Sequence, residues 1–176
     1  GPATKTKTGS TGAVTYSYEG TGSTTYGPSA TPPTGVGTYQ VIATLAADAN
    51  YSGATSAPYA FTIAAAGSTV VVTGATTYTY NGSAQGPATY TKTGSTGAVT
   101  FSYVGTGSTT YGPSATPPTN AGTYEVVATL AADDSYSGAT SAPYAFTINK
   151  LAPVISLGDI VKTMGDPNFT VSATST

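Results

Sequence analysis

The sequence contains no histidine, cysteine, tryptophan or arginine. Without His or Cys there is no zinc site of the usual ligand types, no Ser-His-Asp triad, no cysteine nucleophile and no redox dithiol. All five basic residues are Lys and the net charge is -2, so the basic footprint of a nucleic-acid-binding protein is missing. Charged residues make up 7% of the chain, against about a quarter in ordinary soluble domains. No run approaches the roughly 18 apolar residues of a membrane-spanning helix, and no basic segment leads into an apolar run at the start. These absences leave a non-enzymatic protein that builds or binds and is not expected to span a membrane. Five Lys offer few cuts to proteases that cleave after basic residues, which fits an extracellular location. The start at Gly1 reads as a mature product or a piece of something longer.

What the chain does have is small residues and rings: 176 residues with 22 Gly, 12 Pro, 37 Thr and 14 Tyr, and 39% hydrophobic content. The rings and apolar residues supply core material that a disordered Gly/Pro-rich chain lacks. Residues Gly1–Ile63 recur as Gly86–Ile148, 85 positions later, with nine differences in 63. They are Lys5/Tyr90, Tyr16/Phe101, Glu19/Val104, Gly35/Asn120, Val36/Ala121, Gln40/Glu125, Ile42/Val127, Ala49/Asp134 and Asn50/Ser135. A period of 85 exceeds that of solenoid units, about 20–50 residues, and matches a small domain repeated as a bead.

Within one period the apolar pattern alternates, which predicts strands. In 37–46, Tyr39, Val41, Ala43 and Leu45 share one face; Val14, Tyr16 and Tyr18 face inward on a second strand, and Tyr59, Phe61 and Ile63 on a third. The second copy repeats this with Val99, Phe101 and Tyr103, then Tyr124, Val126, Ala128 and Leu130, then Tyr144, Phe146 and Ile148. Gly/Pro-rich turns separate these runs at the spacing of an all-β sandwich. The expected fold is therefore all-β, as tandem Ig-like β-sandwich modules with an 85-residue repeat. Tyr39 and Tyr124, each following a Gly turn, occupy the place of a tyrosine corner; with Tyr16, Phe101, Phe61 and Phe146 they are the expected structural rings.

The domain reading follows. Residues 1–63 form a module lacking its first strand, 64–68 a linker, 69–148 a complete module, 149–153 a second linker, and 154–176 the opening strands of a third module, with strands over 154–157 and 169–173. Asn81-Gly82 signals a tight turn in the segment that opens the complete module. The Ala/Gly/Ser linker 64–68 is expected to flex, while Leu151 and Pro153 in the second are expected to pack between modules. The 154–176 tail is a candidate to add a strand to the complete module, or to the open edge of the first module in a neighbouring molecule.

The pattern TYTYNGSAQGP followed by TGSTGAVTFSYVGTGSTTYGPSATPPTNAGTYEVVATLAADDSYSGATSAPYAFTINK resembles the MBG-type repeat modules of very large bacterial surface adhesins, notably of Bacteroidota. The resemblance covers residues 69–150 and, without its first strand, 1–64. The tail, with Lys162-Thr163-Met164-Gly165-Asp166 and Phe169-Thr170-Val171-Ser172-Ala173, is similar to a related class in which Tyr stands at the Met164 position. The resemblance implies an Ig-like sandwich, export to the cell surface and a stalk role beside neighbouring modules of the same chain. It brings no catalytic residues.

Other chemistry is thin. Glu19 and Asp48 as a glycosidase pair fail on the second copy, where Glu19 becomes Val104. Lys7-Thr8-Gly9 and Lys92-Thr93-Gly94 lack the Ser-x-x-Lys that would make them a penicillin-interacting signature. Gly20-Thr21-Gly22 and its copy read as turns, not a phosphate loop. Calcium would find oxygen ligands in Asp48 and Asn50, in Asp133 and Asp134, or in Asp159, Asp166 and Asn168, two or three where a usual site needs about six or more oxygens. Lys92, Asn120 and Glu125 offer an isopeptide bond in the second copy alone; Asn120 reads better as a turn residue that tolerates left-handed geometry. Tyr26, Tyr51, Tyr90, Tyr111 and Tyr136 lie outside the inward stripes and would serve a glycan or host surface.

Overall fold

A computed structural model describes residues 5–155, 163–165 and 167. Its described residues form eleven strands and no helix. They fall into two compact units: Gly1–Thr69 with Lys92–Ala98 and Leu130–Ala139, and Val70–Thr91 with Val99–Thr129 and Thr140–Thr176.

In the first repeat, β1 (Val14–Gly20), β2 (Gly37–Leu45), β3 (Ala54–Thr55) and β4 (Tyr59–Ile63) make one antiparallel sheet. Strand β2 lies at its centre. Its residues 39–45 face β1 from Gly20 back to Val14, and its other edge carries β4 opposite 37–41 and β3 opposite 44–45. Alternation puts Tyr39 and Val41 in the core at 3% and 6% exposure, as the sequence pattern predicts. Tyr39 stacks on Phe61 with ring centroids 5.4 Å apart, and Tyr18 meets the same ring edge-on at 6.3 Å. Tyr16 and Phe61 are half-buried. The expectation for Tyr59 is overturned: it is 65% exposed, because the face it shares with Tyr16, Val41 and Ala43 borders an open groove there.

The second repeat writes the same sheet and adds to it. Strand β5 (Thr69–Thr73) pairs with β7 (Thr89–Thr93), Thr69 lying opposite Thr93 and Thr73 opposite Thr89. Strand β8 (Val99–Gly105) pairs with β9 (Gly122–Leu130), whose other edge holds β10 (Ala139–Thr140) and β11 (Tyr144–Asn149). Strand β6 (Thr77–Thr79) then runs parallel to β11. The Asn81 side chain caps the turn that follows, accepting from the Ser83 N–H at 2.9 Å, with Gly82 at φ +80°.

The same residues are better covered in this copy. Val126, Ala128, Leu130 and Ile148 are 0–1% exposed, whereas Ala43, Leu45 and Ile63 are half-buried. Residues 69–87 account for the difference: Val70 and Val72 are themselves core residues, and Gly86 sits so close over Tyr103 and Phe146 that a Cβ would fall 3.0–3.1 Å from their rings. Residues Lys5–Thr8, equivalent to part of β7, form no strand, as a ladder needs a partner.

Two further expectations change. The linker 64–68 is hydrogen-bonded rather than loose: Ala66 donates to the Ser135 carbonyl at 3.0 Å and accepts from the Ser137 N–H at 2.8 Å, within the first compact unit. Leu151 is 62% exposed among the described residues, and Val154 and Ile155 are exposed and outside any strand. The remainder of the 154–176 strand assignment lies outside the described residues.

Candidate mechanical clamp and turn network

Strand β11 is held on both edges. Residues Tyr144–Ile148 pair antiparallel with Val126–Gly122 of β9, and Thr147–Asn149 pair parallel with Thr77–Thr79 of β6. Flanking bonds extend the parallel ladder: Thr147 N–H donates to the Thr76 carbonyl and Tyr80 N–H to the Asn149 carbonyl, each at 2.9 Å. Tyr144 Oη reaches the Gly74 carbonyl at 2.8 Å, and Tyr78 meets Phe146 edge-on at 5.9 Å. Strands β6 and β11 lie near the two chain ends of the repeat. In a parallel pair the N-terminus of one strand and the C-terminus of the other point in opposite directions, so once β5 has parted from β7, tension reaching β6 and β11 loads their bonds together, in shear.

The tyrosine corners form as anticipated. Tyr39 Oη donates to the Gly35 carbonyl at 2.8 Å and Tyr124 Oη to that of Asn120 at 2.7 Å. Burial pushes the phenols of Tyr124, Tyr103 and Tyr78 above their usual range. Tyr124 stacks on Phe146 at 5.4 Å, and Phe101 on Tyr103 at 6.4 Å. Asn120 is a turn residue but does not use left-handed geometry, since among the described residues only glycines have positive φ; its carbonyl, not its side chain, accepts the corner bond. Lys92 Nζ donates to the Gly97 carbonyl at 2.7 Å.

Asp133 organises a turn. Its Oδ2 accepts from the Thr96 N–H and hydroxyl at 2.7 and 3.0 Å, and Oδ1 from the N–H groups of Ser135 and Tyr136 at 3.0 and 2.9 Å. Asp48 makes the same four bonds to Thr11, Asn50 and Tyr51. These donors, Thr96 N–H foremost and Thr11 N–H for Asp48, hold both carboxyls well below the usual carboxylate range. Both oxygens of each are thus occupied by protein donors, and among the described residues no three acidic side chains gather. Asp134 takes no part in this network. Asp159 and Asp166 lie outside the described residues.

Beside each Asp, a serine that sequence reasoning missed ties the turn down. Ser10 and Ser95 are 3% and 1% exposed; their hydroxyls donate to the carbonyls of Ala46 and Ala131 at 2.7 and 2.6 Å and accept the N–H of Gly12 and Gly97 at 2.9 Å. A Cβ on Gly97 would overlap the Ala131 carbonyl oxygen, so only glycine fits. The available signal was that Gly-Ser-Thr-Gly and the Asp stay fixed in both copies while the next two positions differ.

Of the five Tyr set aside for a glycan, two are pinned instead. Tyr26 and Tyr111 donate to the Thr31 and Thr116 carbonyls at 2.7 Å and pack edge-on against Tyr39 and Tyr124 at 5.9 Å. Tyr51, Tyr90 and Tyr136 are 55%, 40% and 36% exposed.

Two all-β repeats, each with a corner tyrosine bonded back to its own turn, define a tandem repeat module. The chain belongs to the MBG domain family: the family model matches residues 3–67 and again 68–152. No curated protein and no solved structure matches the chain.

Proposed function

We propose that these repeats are non-enzymatic spacers of an extracellular bacterial adhesin, projecting a distal binding domain from the cell surface and carrying the tension of attachment. Membership of a family of repeat modules supports a surface-protein role. The observation that carries the load-bearing part is the parallel ladder of β6 and β11, since forced unfolding is governed by the barrier to breaking such a ladder. The role needs no metal, cofactor or membrane span. Screening the full chain against glycan and host-protein arrays tests it. A spacer gives no binding at micromolar concentration. Binding that is lost on replacing Tyr51, Tyr90 and Tyr136 by Ala would overturn it in favour of a module that grips glycan or protein through its exposed rings.

A second reading is favoured by a groove of about 370 Å³ in the first repeat, lined by Lys5, Tyr16, Val41, Ala43 and Tyr59, together with the edge of β4 that has no partner strand among the described residues. An extended segment from another molecule fits such a place, which would make the chain a filament subunit assembled by strand donation. Polymers that grow with concentration under electron microscopy support that reading, and a monomer at every concentration refutes it.

A further inference from the structure

The Asp133 turn does more than close a loop: it holds the linker. Ala66 exchanges two main-chain hydrogen bonds with Ser135 and Ser137, and Ser137 Oγ adds a third to the Ala66 carbonyl at 3.2 Å. Ser68 Oγ accepts from the Ser95 N–H at 2.9 Å. Gly67 and Ser68 lie directly over Gly94: a Cβ there would fall 2.6 Å from Ser68 Oγ and 2.9 Å from the Gly67 oxygen. All of these residues belong to the first compact unit.

The first repeat carries the same receptor without that ligand. Asp48 shapes the Asn50–Ser52 turn with the bonds that Asp133 makes, and Tyr51-Ser52-Gly53 repeats as Tyr136-Ser137-Gly138. Among the described residues the Asn50 carbonyl, the Ser52 N–H and the Ser10 N–H have no partner; their equivalents bind Ala66 and Ser68. Over Gly9, where the second copy has Gly67 and Ser68, lies the ring of Tyr51, with Cδ1 3.0 Å and Cε1 3.3 Å from a Cβ position.

We propose that the Asn50–Ser52 turn is a docking site for the Ala-Gly-Ser linker of a further copy of this module, and that the Tyr51 ring is a placeholder that swings off Gly9 when the linker arrives. The ligand is defined by chemistry. One residue presents its N–H and C=O to a strand-like edge, a glycine follows where the backbone passes within contact of Gly9, and a hydroxyl then accepts from Ser10. The site is a main-chain receptor whatever the assembled repeats are used for, so it does not depend on the spacer reading.

Amide hydrogen exchange tests it. In the 176-residue chain, Ser137 N–H is protected and Ser52 N–H exchanges as an open amide. Placing a second copy of residues 1–85 ahead of Gly1 puts a linker at the same distance from the Asp48 turn as Ala64–Ser68 is from Asp133. Ser52 exchange then slows by roughly 100-fold, and the Tyr51 ring resonances move away from Gly9. Replacing the new linker alanine equivalent to Ala66 by Pro removes its N–H and returns Ser52 to fast exchange, while the Ala66→Ser equivalent keeps the protection. Ser52 exchange unchanged by the extension, or protection that survives the Pro, overturns the proposal.

Discussion

Replacing the same isoleucine in the two copies separates what the repeat shares from what residues 69–87 add. Ile148 is 1% exposed on β11, opposite Tyr78 of β6; Ile63, its equivalent on β4, is half-buried beside an open edge. Ile148→Ala removes three carbons, about 2.4 kcal/mol of transfer free energy at about 0.8 kcal/mol per methylene. A cavity contribution brings the loss to about 3 kcal/mol or more. At Ile63 about half the transfer free energy is at stake and the open edge lets neighbours close in, leaving about 1 kcal/mol. In a domain of this size about 3 kcal/mol lowers the melting temperature by about 12–24 °C. Native-state hydrogen exchange assigns each loss to its repeat, because the nine sequence differences make the copies distinguishable. Equal losses at the two positions would refute the claim that the first core is more open.

Other outcomes follow from the turn network. Ser95→Ala strands the buried Gly97 N–H and should cost about 1–3 kcal/mol, measured by chemical denaturation. Tyr124→Phe removes the corner bond to Asn120 and should cost about 1 kcal/mol, with the stacking on Phe146 retained. The carboxyls of Asp48 and Asp133 have folded pKa values below their unfolded value of about 3.9. Their contribution is therefore present above about pH 4 and lost as the pH falls through the folded values. Thermal melting should be flat from pH 7 to about 5 and fall in acid, and the Asp48→Asn, Asp133→Asn double variant should show a shallower acid fall.

Much of this architecture was written in the sequence, because period-two alternation survives wherever one face of a strand is buried. Tyr39, Val41, Tyr124 and Val126 were legible that way, and the corner tyrosines from their Gly turns. Tyr59 was misread because alternation says which residues share a face, not whether anything covers it. The linker 64–68 was misread for a related reason: Ala, Gly and Ser flex when solvated, but their small size also lets a main chain dock, which depends on Ser135 and Ser137 some seventy residues away. The parallel partner of β11 was invisible, since three residues, Thr77–Thr79, carry too short a pattern to reveal where they pair.

Pulling the chain from its ends with a single-molecule force probe tests most directly the proposal that the 69–148 repeat bears tension through β6 and β11. The account predicts a distinct rupture that releases the 80 residues 69–148, about 260–290 Å of extended chain, and a clearly lower rupture force in Tyr80→Pro, which deletes the donor to Asn149. A Tyr80→Pro chain that folds and yields at the same force as the parent would contradict it.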